Sequence, residues 1–89
     1  MSKWIEISFR HPPDVHRIRN FAEHLVRQLY DRKLGVLSMD DADRAFDRIC
    51  ITGIRTRMLN RSLGFLKQAI VDNGFSGDAT MTSGTEGEG

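Results

Sequence analysis

Three histidines, one cysteine, a run of aspartates and a cluster of arginines are the residues whose types suit chemistry in this chain. His16 and His24 are eight residues apart, two helical turns, which is too far to share one metal. The intervening position that would complete a four-residue chelating step is Asn20. Both histidines read as solvated. His11 stands beside Pro12 and Pro13, where a general base would need an orienting carboxylate that the neighbouring residues do not supply. Cys50 is the single cysteine, so no internal disulfide forms and a reducing compartment is implied. A reactive thiolate needs an electropositive setting, and Arg48 two positions along is thin support for one. Asp40, Asp41, Asp43 and Asp47 crowd together as calcium ligands do. The glycine at the sixth position and the closing glutamate of an EF-hand are missing, so the run reads as a solvated turn.

Arg55, Arg57 and Arg61, in TGIRTRMLNR, are the densest basic group. If a helix begins near Thr56, its unpaired N–H groups and these arginines together suit a phosphate or carboxylate. The preceding loop has only Gly53, so it carries no phosphate-cradling glycine pattern. A nucleic-acid reading would add Arg17 and Arg27. Against it, the 89-residue chain has a net charge of only +1, which offers little attraction to a polyanion.

The elements that must hold these residues follow from hydrophobic spacing. Trp4 to Phe9 alternate, with Ile5, Ile7 and Phe9 on one side and Trp4, Glu6 and Ser8 on the other, which predicts a half-buried strand. The prolines and Asp14 suit the start of a helix. Val15, Ile18, Ala22, Leu25, Val26 and Leu29 then form an apolar stripe over 15–33, and Gly35 is the expected left-handed cap. A short strand is expected at 35–39, and residues 40–47 read as a hairpin tip, with a short helix capped by Ser38 as the alternative. Residues 48–52 alternate as a strand that turns Ile49 and Ile51 inward and Arg48, Cys50 and Thr52 outward. A second helix over 57–72 carries Leu59, Leu63, Leu66 and Ile70 along its inner stripe, flanked by Met58, Ser62, Phe65 and Ala69. Asn73-Gly74 ends it. A weak strand is expected at 79–82, and 83–89, SGTEGEG, reads as a disordered tail.

The order β-α-β-β-α-β predicts one α+β domain over 1–82. It is a two-layer ferredoxin-like βαββαβ sandwich, with two helices on one face of a four-stranded antiparallel sheet. Within that topology, the aromatic platform of RNA-recognition motifs is missing, because the third strand shows Arg48, Cys50 and Thr52 outward. The loop RHPPDVHR also lacks the glycines of the acylphosphatase anion loop, and prolines stand where small-ligand ACT-type domains place glycines.

The functional expectation is a small non-enzymatic module, with no cofactor and no metal, that binds another protein or itself as a homodimer. Its contact surface would be the open sheet face, through Trp4, Glu6, Arg48, Cys50 and Thr52, with Trp4 as the apolar anchor. The alternative is nucleic-acid or anion binding through Arg55, Arg57 and Arg61. A third reading is a small hydrolase or phosphatase using His11 with the arginines. The charged, alternating N-terminus and the lack of a long apolar run imply a cytoplasmic protein.

Overall fold

The computed structural model describes residues 2–10, 15–37 and 48–86. The elements are β1 (Ser2–Phe9), α1 (Val15–Arg32), β2 (Val36–Leu37), β3 (Arg48–Arg55), a 3-10 turn (Thr56–Met58), α2 (Leu59–Asp72) and β4 (Ala79–Thr85). All strand pairs are antiparallel and the sheet order is β2-β3-β1-β4, a ferredoxin-like βαββαβ topology with β1 and β3 in the centre. His11 and the proposed helix start at 12–14 lie outside the described residues. So do the aspartate run, the hairpin-or-helix alternative at 40–47, and the last three positions of the expected tail.

The alternation in β1 has the phase expected from its sequence. Ile5, Ile7 and Phe9 are buried among the helices, while Trp4, Glu6 and Ser8 are half-buried on the other side. From α1 the core takes Ile18, Phe21, Ala22, Leu25 and Leu29, and from β3 it takes Ile49 and Ile51. Phe21 belongs to the stripe although it falls outside the residues that strict spacing selects. Its ring meets Phe75 at 5.0 Å and Phe9 at 6.5 Å between centroids, an aromatic cluster closing one end of the core.

Helix α1 ends differently from expectation. Lys33, with φ of 57°, is the left-handed residue, and Gly35 lies beyond it. The Leu34 N–H donates to the Leu29 carbonyl at 2.9 Å and the Lys33 N–H to the Tyr30 carbonyl at 3.2 Å, the paired bonds of a Schellman motif. Leu34 follows as the apolar residue that such a motif packs inward. At the end of α2 the same pattern recurs with Gly74 and Phe75, where the Phe75 N–H donates to the Ile70 carbonyl at 2.9 Å. The centre of the buried face of α2 is Ser62, Leu66, Ala69 and Ile70, whereas Leu59 and Leu63 are only half-buried. Ser62 is fully buried, and its hydroxyl donates to the Leu34 carbonyl at 2.7 Å, tying α2 to the end of α1.

Two strands run further than their side chains suggested. Strand β3 continues through Thr52-Gly53, where the register with β1 slips and Gly53 takes a φ of 69°. This bulge sets Thr52 and Gly53 together against Trp4 and returns the next residue, Ile54, to the core. Strand β4 extends to Thr85, so residues 83–85 are paired strand, not tail. The Glu86 N–H donates to the Ser2 carbonyl at 2.8 Å, and Lys3 Nζ donates to Thr85 Oγ1 at 2.6 Å.

Candidate functional site

The sheet brings the five proposed contact residues onto one face. Glu6 lies between Cys50 of β3 and Thr82 of β4, and Ser8 lies between Arg48 and Thr80. Trp4 lies between the Thr52-Gly53 bulge and Gly84. Thr52 in turn faces Val36 of β2. Because Leu37 opposite Ile51 points into the core, Val36 points to the open side, where it is 60% exposed. Among the described residues the face is therefore mostly hydroxyl and charged groups crossed by one row, Val36–Thr52–Trp4–Gly84, that holds its two large apolar side chains. Val36 was not singled out from the sequence; strand alternation against Leu37 was the signal for it.

The indole of Trp4 does not stand free of the sheet. A methyl group placed on Gly84 would lie 2.5 Å from Cζ2, 2.7 Å from Cε2 and 2.8 Å from Nε1, so the ring lies down on that glycine. An aromatic ring covering a glycine on the neighbouring strand repairs the missing side-chain contact there. Beside it, Ser8 Oγ donates a long 3.4 Å hydrogen bond to Glu6 Oε1.

Of the arginine cluster, Arg55 ends β3 and Arg57 lies in the 3-10 turn, with no side-chain cap at the start of that turn or of α2. Both line a cavity of about 700 Å³ at the corner between α1 and β3. Arg61 is exposed on α2 and does not line it. From α1 and the residue after it the cavity gains Tyr30, Arg32 and Lys33, which no spacing rule connects to Arg55 and Arg57. The Arg32 guanidinium also sits 5.2 Å from the centre of the Phe65 ring. Arg17, counted in the nucleic-acid reading, is engaged within the fold. Its guanidinium lies 4.9 Å from the Phe75 ring centre, and its Nη2 donates to the Asn73 carbonyl at 3.2 Å, covering the end of α2.

His16, His24 and Arg27 are exposed along α1. Among the described residues, no group of three or more His, Cys, Asp or Glu is placed to hold a metal ion, and no helix is long and apolar enough to cross a membrane. Comparison with protein-family models, with curated proteins and with solved structures finds no match.

Proposed function

We propose that this chain is a small non-enzymatic binding module that associates with a second copy of itself through the open sheet face. The observation that carries the reading is the apolar row formed by exposed Val36 and by Trp4, set, among the described residues, in an otherwise polar surface. Glu6 and Arg48 occupy neighbouring strands of the same patch. A second copy related by a two-fold axis lying in the plane of the interface, across the line from Glu6 to Arg48, would set the acid of each against the base of the other, which favours self-pairing over a strongly charged partner. The outer face of Trp4 supplies the anchor. Its inner face is already committed to Gly84.

Size sets the expected strength. Three long strands at about 4.8 Å spacing and about 3.3 Å per residue make a plane of roughly 14 by 26 Å, short of the ~800 Å² per partner of a standard interface. The dimer is accordingly weak and dependent on concentration. Size-exclusion chromatography with light scattering over a dilution series tests this. Wild type should shift from dimer to monomer on dilution, and Val36→Lys should stay monomeric with an unchanged circular dichroism spectrum. A wild-type chain that remains monomeric up to its solubility limit, or a Val36→Lys dimer as tight as wild type, overturns the reading.

A further inference from the structure

One corner of the molecule holds far more positive charge than the chain average. The last turn of α1 supplies Arg32 and the residue after it Lys33, the end of β3 supplies Arg55, and the following turn supplies Arg57. All four line the same cavity of about 700 Å³, against one carboxylate among the described residues, Asp31. The whole chain is only +1. Like charges gathered around one cavity oppose each other, and an anion seated among them turns that repulsion into attraction. Three of the four are arginines, whose planar forks match phosphate oxygens in pairs. Arg32 is held in place by Phe65 at 5.2 Å, which lowers the ordering cost of binding.

A second feature narrows the anion. Tyr30, at the rim of the same cavity, is 76% exposed, a large aromatic ring offered to solvent beside the cations. Such a ring stacks on a planar base whatever its sequence, while the neighbouring guanidiniums take the phosphate. A carboxylate ligand would use the charges and leave the ring unexplained. Duplex nucleic acid, which rewards a broad basic surface, fits poorly with a near-neutral chain. The volume falls within the range of about 300–1,000 Å³ typical of small-molecule sites. We propose that this cavity binds a nucleoside phosphate, either free or as one unit of a single strand. The cavity shares Val36 with the Trp4 row but takes its cations and Tyr30 from outside that row, so the proposal does not rest on self-association.

The test is titration of the full chain with adenosine monophosphate, adenosine, inorganic phosphate, thymidine monophosphate and an oligothymidylate, followed by amide NMR shifts and calorimetry. Adenosine monophosphate should move the amides of residues 30–35 and 53–58, and adenosine should not. Paired Arg55→Ala and Arg57→Ala should weaken it by about tenfold or more, whereas Arg61→Ala, a loss of charge outside the cavity, should cost less than about twofold. Tyr30→Ala should reduce its affinity to that of inorganic phosphate and leave phosphate itself unaffected. All four positions are exposed, so these variants keep the fold. An oligothymidylate that binds more tightly than thymidine monophosphate identifies a single strand as the source; equal affinities identify the free nucleotide. Unmoved amides with both nucleotide and oligomer overturn the proposal. So does an Arg61→Ala loss as large as that of the cavity pair, adenosine binding as tightly as its monophosphate, or a Tyr30→Ala variant that binds the nucleotide normally.

Discussion

Replacing Gly84 with alanine should push the indole of Trp4 off the sheet. The new methyl carbon would lie 2.5–2.8 Å from three ring atoms, where ordinary carbon contacts need about 3.5–4.0 Å. A rigid bicyclic ring cannot yield that distance by bending, so it retreats or turns away. A tryptophan side chain carries about 150–250 Å² of surface. If roughly 50 Å² of it returns to water, about 1.2 kcal/mol of apolar burial is lost. Alanine is better than glycine in a strand by about 0.5–1 kcal/mol, so the single variant is expected to be nearly neutral in stability. The coupling is therefore the quantity to measure. In a double-mutant cycle, Trp4→Ala should cost about 1 kcal/mol more in the wild-type background than in the Gly84→Ala background, read by urea unfolding. Because the chain has one tryptophan, its fluorescence reports this ring alone, and Gly84→Ala should shift the emission to the red. A coupling within about 0.3 kcal/mol of zero, with unchanged emission, would refute the stacked arrangement and with it the idea that one face of the indole is taken up by the fold.

Three further outcomes follow from the helix ends. Gly35→Ala should be among the most damaging small changes, because its methyl would meet Ile51 Cγ2 at 2.5 Å and Ile54 Cγ1 at 3.0 Å at a φ of 145°. Overpacking and strain together suggest a loss of about 2–4 kcal/mol in chemical denaturation, and a loss below about 1 kcal/mol would contradict the packing. Lys33→Gly removes a side chain from a left-handed backbone at φ of 57° and should raise stability by about 0.5–1 kcal/mol, the strain relieved exceeding the flexibility added to the unfolded chain. A drop in melting temperature would count against it. Ser62→Ala strands the Leu34 carbonyl in the interior and should cost about 1–3 kcal/mol, with faster amide exchange around the end of α1 as the local signature.

Much of the architecture was legible because it is written in side-chain period. The two-residue alternation of β1, the 3.6-residue stripe of α1 and the Asn73-Gly74 stop each express a local rule, and the topology follows once those elements are in order. The departures share a different origin, in interactions that period does not record. Residues 83–85 look like linker because Ser, Gly and Thr bury little, yet their backbone pairs with β1 and Trp4 supplies the cover that Gly84 lacks. Gly35 looks like the helix cap because glycine is the usual left-handed residue, but the Schellman bonds close two positions earlier on a lysine. Ile54 is unreadable as core without the Gly53 bulge that restores its phase. The proposed contact residues on the open face come together because strand phase alone places them. The cavity at the other corner was only half visible, since nothing local connects Tyr30, Arg32 and Lys33 with Arg55 and Arg57, which lie far along the chain.

The bond from Glu86 to Ser2, with Lys3 reaching Thr85 alongside, means that the outermost described backbone of β1 and of β4 meets at one corner. Topologically the domain is almost a closed ring. A few residues joining those ends would create a cyclic or permuted version with little added loop entropy. By the same geometry, the whole unit fits within a surface turn of a host protein, entering and leaving through a gap no wider than one pair of strands.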